Sequence, residues 1–186
     1  LNISKLKKLR GLYCSYNKLK KLDVSKLTNL QTIECEHNKI TQLEVRKLKD
    51  LESLNCSYNK LKKLNLGKLK WLDPIICSHN QLEKLDLSNG EDMEYGVDCS
   101  YNKLTELKLG AYKIYDIICN NNQLKILDLS PVTAVEKIDC RNNQITALDM
   151  YGLSPKEIKC DSSVTLLRQD WKEKMGLYQA NINERL

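Results

Sequence analysis

The stretch LYCSYNKLKKLDVSKLTN, residues 12–29, places a cysteine between apolar residues and an asparagine three positions later. The arrangement recurs along the chain, and successive cysteines are separated by 21, 21, 21, 22, 20, 21 and 20 residues. They are Cys14, Cys35, Cys56, Cys77, Cys99, Cys119, Cys140 and Cys160. A zinc site needs pairs of cysteines about two to four residues apart, or a Cys/His pair with zinc-finger spacing, and the sequence has neither. The even spacing therefore indicates an internal repeat rather than a metal site or a disulfide framework.

The repeated units align on these cysteines, and we number them 1–8 from Cys14 to Cys160. Unit 1 reads LRGLYCSYNKLKKLDVSKLTN from Leu9, and unit 7 reads VEKIDCRNNQITALDMYGLS from Val135. Unit 8 starts at Pro155 and decays after Cys160. The opening LNIS matches the later LDVS, so we expect the array to begin inside a unit, with further repeats before Leu1 in the natural protein.

The unit LxxLxCxxNxL resembles that of the leucine-rich repeat family, with cysteine at the third leucine position. The resemblance covers residues 1–163 and is similar to the short repeats of internalin-type bacterial surface proteins. It implies an α/β right-handed solenoid with a parallel sheet on its concave face, extended or 3₁₀ convex segments and little helix. It also implies a secreted or cell-surface bacterial location.

Alternation within the unit supports a strand, because Leu12 and Cys14 point inward when Tyr13 and Ser15 point outward. One strand cannot bury its apolar side alone, so neighbouring units must stack. An asparagine then turns the chain and can bond backbone groups at the bend. These asparagines are Asn17, Asn38, Asn59, Asn80, Asn102, Asn122 and Asn143.

The inward position of the cysteines predicts free structural thiols that pack as small apolar residues. Disulfides between neighbouring units are an alternative, although parallel Cβ vectors would strain them. Metal or redox chemistry is a further alternative.

The position before each asparagine carries rings in consecutive units, at Tyr16, His37, Tyr58, His79 and Tyr101. Two positions later come the lysines Lys18, Lys39, Lys60 and Lys103. We interpret the two columns as a flat ring surface edged by cations, which could bind a protein or a glycan. The alternative is that the rings stack on one another as a consensus feature of the repeat.

Two isoleucines, Ile76 and Ile118, occupy outward strand positions on either side of Asp98. No repetition explains them, so we expect an apolar patch about 10 Å wide on the concave face. Single tolerated surface residues are the alternative.

Charge is distributed unevenly, because residues 1–72 carry 17 Lys/Arg against 6 Asp/Glu, whereas residues 73–186 carry 13 against 18. One lysine column comprises Lys5, Lys26, Lys47 and Lys68, and a second comprises Lys7, Lys49 and Lys70. The basic half could attract an anionic polymer such as teichoic acid. No nucleic-acid motif is present, so we do not expect nucleic acid as a partner.

Catalytic motifs are absent, and His37 and His79 lie two units apart, too far to share a metal. We therefore predict a non-enzymatic, monomeric recognition module without cofactor, metal or membrane span; a structural spacer is the alternative.

Residues 88–98, SNGEDMEYGVD, are interpreted as a loop bulging on the convex side.

From Val164 the repeat dissolves, and we assign residues 164–186 to a terminal cap or the start of a linker. The apolar residues Val164, Leu167, Trp171, Met175 and Tyr178 recur at helical intervals. They predict a short amphipathic helix laid across the last unit. A strand at VTLL followed by a linker is the alternative.

Overall fold

The computed structural model describes residues 3–167, which form a parallel β-solenoid of about seven turns without helix. No segment of this range is therefore a helix able to cross a membrane. Its strands are β1 (Gly11–Tyr13), β2 (Thr32–Glu34), β3 (Ser53–Asn55), β4 (Ile75–Ile76), β5 (Lys84–Asp86), β6 (Val97–Asp98), β7 (Glu106–Lys108), β8 (Lys113–Ile118), β9 (Ala134–Asp139), β10 (Ala147–Asp149), β11 (Glu157–Lys159) and β12 (Thr165–Leu167). The predicted solenoid is confirmed.

One strand from each unit joins an eight-stranded parallel sheet in the order β1-β2-β3-β4-β6-β8-β9-β11. Register is constant, because Leu12 pairs with Ile33 and Ile33 pairs with Leu54. The repeat thus places equivalent residues in columns across the sheet. Any side chain that recurs once per unit has its counterparts as direct neighbours.

A continuous core lies behind this sheet and is built from the repeated apolar positions. Ile33 and Leu54 from the strands, together with Leu27, Leu30 and Leu48 from the turns, have no exposed surface. Each such side chain contributes roughly 1.5–3 kcal/mol by leaving water. Stacking of units is consequently the main source of stability.

The convex side is extended, with short turns between the units. Val24 and Leu27 accept hydrogen bonds from the backbone nitrogens of Leu27 and Leu30, which closes two successive turns. Two small parallel sheets, β5–β7 and β10–β12, join neighbouring units on this side. Extended segments of this kind agree with the predicted convex side.

Residues at the start of the predicted terminal helix are strand instead. Strand β12 pairs with β10, so Leu166 lies opposite Leu148 and the convex side of the array continues to Leu167. Over these residues the structure agrees with the alternative strand at VTLL. Trp171, Met175 and Tyr178 lie outside the described residues.

Candidate functional site

The sheet has two different edges, which we name by their contents. The asparagine edge lies where the strands end and contains Asn17 and its counterparts. The bulge edge lies where the strands begin and contains Trp71, Glu94 and Tyr95.

At the asparagine edge a side-chain amide recurs once per unit, and six of the seven amides join two units. The Nδ2 of Asn59 donates to the carbonyl oxygens of Cys35 at 2.9 Å and Cys56 at 3.1 Å, while its Oδ1 accepts from the backbone nitrogen of Ile40. Asn38, Asn80, Asn102, Asn122 and Asn143 repeat this arrangement. Among residues 3–167, Asn17 bonds only within its own unit.

The residue before each asparagine has positive φ. The values are 55° for Tyr16, 53° for His37, 51° for Tyr58, 53° for His79, 52° for Tyr101, 57° for Asn121 and 54° for Asn142. This left-handed region suits asparagine and is uncommon for bulky side chains. Asn121 and Asn142 therefore match the backbone, whereas the five rings occupy it against local preference.

These rings form one continuous stack, the ring ladder. Successive ring centroids from Tyr16 to Tyr101 lie 4.4, 4.2, 4.0 and 4.3 Å apart, with interplanar angles of 9–13°. The ring faces are turned toward one another, which agrees with the alternative that the rings stack on one another. The predicted flat ring surface is therefore corrected to a row of ring edges. Tyr16, Tyr58 and Tyr101 remain exposed, and His37 and His79 are partly buried.

Four lysines run beside the ring ladder. Lys18, Lys39, Lys60 and Lys103 are all exposed. None of them forms an ion pair within residues 3–167, although Lys84 and Lys108 farther along both contact Glu106. Their charge is consequently available to a ligand.

On the concave face, Ile76 and Ile118 flank Asp98 across neighbouring strands. Both isoleucines are partly buried rather than fully exposed, which makes the apolar patch smaller than the sequence suggests. Asp98 is already engaged, because its Oδ1 accepts from the backbone nitrogen and hydroxyl of Ser100. The patch is therefore two apolar side chains divided by a bonded carboxylate.

The cysteines form a column beneath the asparagine edge. Seven are buried, Cys160 is partly exposed, and all eight are free thiols in the structure. Burial raises the pKa of Cys56 from 9.0 to about 12, and burial with the neighbouring Cys160 raises that of Cys140 to about 12. Thiolates are the reactive species, so these groups are inert at neutral pH.

The lysine columns of the first units lie on the outer surface. Lys5, Lys26, Lys47, Lys68, Lys7 and Lys49 are exposed and make no ion pair within the described part of the chain. Lys70, by contrast, contacts Glu91 at 2.9 Å. Free positive charge is therefore concentrated in units 1–3.

At the bulge edge the structure corrects the predicted alignment of unit 5. The cysteine count places Glu94 at the apolar position that opens the strand, but buried Met93 occupies it and pairs with Ile114. Val97 pairs with Ile117, so unit 5 carries one extra residue between the two pairs. The extra residue forms a β-bulge at the entry to the concave strand, where the sequence predicts a convex loop.

The bulge turns Glu94 and Tyr95 into solvent beside Trp71. Tyr95 is 70% exposed and Trp71 is 66% exposed, and both line a cleft of about 710 Å³. Sequence reasoning assigned no function to these three residues. The available signal was the single 22-residue spacing together with an acidic residue at an apolar position.

Part of the chain matches a known protein family. Residues 7–48 match the family described as leucine rich repeats (2 copies). No curated protein sequence matches the chain significantly.

One solved structure supports the same fold. The functional domain of InlJ from Listeria monocytogenes, described as including a cysteine ladder, matches with 24% identity and a TM-score of 0.50. That match covers 90% of this chain and 52% of the InlJ domain, so the chain spans about half the length of that structure.

Two further solenoids are less similar. An internalin (inlF) from Listeria monocytogenes str. 4b F2365 has 19% identity and a TM-score of 0.49, covering 89% of this chain and 63% of that one. The leucine-rich repeat domain of APL1B has 17% identity and a TM-score of 0.46, covering 89% and 64%.

Proposed function

We propose that this chain is a leucine-rich repeat protein and acts as a non-enzymatic module that recognises a partner on the outside of a bacterial cell. Binding takes place through the concave face together with the ring ladder and its lysines. A parallel solenoid of this kind offers a large, regular surface on which outward residues are free to vary. Function is then carried by side chains rather than by the fold.

The ring ladder is the observation that carries this proposal. All seven residues at the ladder position have φ between 51° and 57°, and asparagine occupies it in units 6 and 7. Bulky residues in the left-handed region cost roughly 1–2 kcal/mol each, which stacking of about 0.5–1.5 kcal/mol per pair offsets only in part. Because the fold accepts asparagine here, the backbone does not require a ring at this position. Five consecutive rings therefore indicate a functional role such as binding.

Geometry favours a protein over a glycan as the ligand. A sugar ring packs on the flat face of an aromatic residue, and the inner faces of this stack are covered by other rings. The exposed edges present phenolic hydroxyls at every second unit, with lysines alongside. Hydrogen-bonding and cationic groups in such a row suit the backbone carbonyls and carboxylates of a protein surface.

Repeat length and fold support the location. Units of about 21 residues with cysteine at the third leucine position resemble internalin-type repeats, and the InlJ domain is described as including a cysteine ladder. We extend a bacterial surface location to this chain on that basis.

An electrostatic anchor is the second candidate function. Apart from Lys70, the exposed lysines of units 1–3 lack ion-pair partners within residues 3–167, so their field attracts an anionic cell-wall polymer such as teichoic acid. A spacer that binds nothing itself is the remaining alternative, and it predicts no ligand in any screen.

Array screening followed by a matched substitution tests the first proposal. Labelled chain is applied to arrays of surface proteins and glycans, and each hit is measured against the Tyr16→Asn/Tyr58→Asn/Tyr101→Asn variant. We expect at least a tenfold loss of affinity, because each ring edge contributes on the order of 1 kcal/mol. The control Tyr151→Asn removes an exposed tyrosine on the convex side. Unchanged binding by the triple variant contradicts the ladder proposal.

Salt dependence separates the anchor from the ladder. Binding to polyglycerol phosphate teichoic acid should fall steeply between 50 and 500 mM NaCl, a range that shortens the screening length from ~14 Å to ~4 Å. The Tyr→Asn variant should keep this binding. Binding to the polymer that is insensitive to salt contradicts the anchor.

A further inference from the structure

The bulge edge contains a second surface, separate from the ring ladder. It begins where the repeat is interrupted, at Met93–Gly96, and is held in place by specific contacts. The carboxylate of Asp73 accepts hydrogen bonds from the backbone nitrogens of Tyr95 at 3.0 Å and Gly96 at 2.9 Å. The interruption is therefore a built feature of the fold.

Only glycine fits at the last position of the bulge. Gly96 has φ of 85°, and a Cβ there would lie 2.2 Å from the carbonyl oxygen of Asp116 in the next unit. Bulges commonly re-aim a side chain at a site of function. Here the consequence is that Glu94 and Tyr95 leave the core and face solvent.

Two adjacent clefts open around these residues. The larger, of about 710 Å³, has exposed Trp71 and Tyr95 in its walls and buried Tyr112 beneath. The Tyr112 hydroxyl donates to the carbonyl of Leu87 at 2.8 Å, which holds the ring in place. A second cleft of about 550 Å³ shares Asp92 and Glu94 with the first and continues to Tyr115 and Glu136. Together they make a groove that crosses several units.

The larger cleft is acidic although the whole chain is basic. Asp73, Glu91, Asp92 and Glu94 line it, and no Lys or Arg does. Asp73 is bonded to the backbone, Glu91 pairs with Lys70, and Asp92 uses one oxygen for the backbone nitrogen of Lys113. Glu94 has no ion pair or hydrogen bond among the described residues. A negative charge exposed beside two aromatic rings is thus left without an ion-pair partner among the described residues, although Lys113 lines the second cleft that shares Glu94.

We propose that this groove docks an extended segment of a partner protein through its lysine or arginine side chains. A guanidinium or ammonium group placed over the ring of Trp71 or Tyr95 gains a cation–π contact, and Glu94 supplies the opposing charge. The shared groove, which runs from Trp71 at the end of unit 3 to unit 7, suits an extended chain with several basic residues. A neutral glycan would leave the carboxylate of Glu94 unpaired.

Tryptophan fluorescence provides the readout. The background variant Trp171→Phe leaves Trp71 as the sole tryptophan, since the chain has two. The probes are an acetylated Arg-Gly-Arg-Gly-Arg peptide, its glutamate analogue, and chitotetraose as a neutral glycan. We expect saturable quenching by the arginine peptide alone, weakening as salt is raised.

Matched variants assign the effect to the groove. Glu94→Gln should weaken peptide binding about fivefold, as expected for one partly shielded ion pair. Glu83→Gln removes an exposed carboxylate on the convex side and should have no effect. The triple Tyr→Asn ladder variant should bind the peptide with unchanged affinity. The proposals for the groove and for the ring ladder are therefore tested independently. Circular dichroism of each variant establishes that the solenoid is intact.

Four results would overturn the proposal. If Glu94→Gln and Glu83→Gln bind the arginine peptide with equal affinity, Glu94 does not contribute to binding. Quenching by the glutamate peptide would likewise show that the groove does not select basic side chains. A response to chitotetraose in place of the arginine peptide makes the ligand a glycan. Self-association that sediments as a dimer and disappears in Glu94→Gln makes the occupant the basic half of a second copy.

Discussion

The two edges of the eight-stranded sheet are held together by different means. At the asparagine edge the same bonds recur from Asn38 to Asn143, with one side-chain amide linking neighbouring backbones. At the bulge edge unit 5 departs from the repeat, and a single carboxylate, that of Asp73, holds its extra residue in place. The asparagine edge maintains the stacking of the units, so the sequence at the bulge edge is free to vary. Substitutions at the two edges should therefore differ in kind.

The largest expected effect concerns the thiols beneath the asparagine edge. Burial raises the pKa of the core cysteines, so the folded state holds their protons more tightly than the unfolded chain. Stability is full below pH 9 and should fall above it by about 1.4 kcal/mol per pH unit for each buried thiol, until the folded pKa is reached. Burial raises the pKa of Tyr112 to about 12, which acts in the same direction.

Urea unfolding between pH 7 and 10.5, under reducing conditions, measures this loss. Cys56→Ala should reduce the slope by about 1.4 kcal/mol per pH unit, because it removes one titrating thiol. A free energy of unfolding that stays constant up to pH 10.5 would show that the column does not hold its protons as described.

The next effect distinguishes a bonded asparagine from an exposed one. Asn59→Ala should lower the free energy of unfolding by about 3–6 kcal/mol, since it leaves the carbonyls of Cys35 and Cys56 and the nitrogen of Ile40 without their partner. Asn17→Ala, at a position without bonds to another unit, should cost under ~1 kcal/mol. Chemical denaturation of both variants measures the difference, and equal losses would mean that the inter-unit bonds contribute little.

At the bulge edge the corresponding test uses glycine. Gly96→Ala should cost about 2–4 kcal/mol, because positive φ combines with a close approach to Asp116. The control Gly152→Ala has a φ of 74° but no atom within 4 Å of the new Cβ, so its cost should be about 1 kcal/mol. Thermal melts compare the two. Similar melting temperatures would show that the bulge can relax.

The smallest effect is expected in the ring ladder. Tyr58→Asn loses two stacking contacts of about 0.5–1.5 kcal/mol each, while asparagine gains from the left-handed backbone. The net change should lie within about 1 kcal/mol, and the inverse Asn121→Tyr should be similarly small because it extends the stack. Loss of several kcal/mol in Tyr58→Asn, measured by denaturant titration, would make the ladder a structural element of the asparagine edge.

Predictability from the sequence followed the repeat. Cysteine spacing, inward leucines and the asparagine bend are enough to predict the solenoid and its sheet, because each unit must stack on its neighbours. The direction of the ring faces depends on side-chain torsions that spacing does not report. The bulge was not predicted because the spacing between cysteines does not show where in unit 5 the extra residue lies. Counting back from Cys99 reaches Glu94, one residue after the apolar Met93 that opens the strand. The apolar spacing of Val164 and Leu167 is compatible with helix and with strand, and over Thr165–Leu167 packing on β10 produces strand.

The ring ladder also has a mechanical consequence. Each ring belongs to a different unit, and the ring centroids lie 4.0–4.4 Å apart, closer than the ~4.8 Å typical between strands. Bending or stretching of the solenoid must therefore change four ring separations in series. Tyrosine emission and near-ultraviolet dichroism depend on such separations, so the spectra of the ring ladder report changes in the curvature of the solenoid. A ligand or a pulling force that alters the curvature could be followed without any added label.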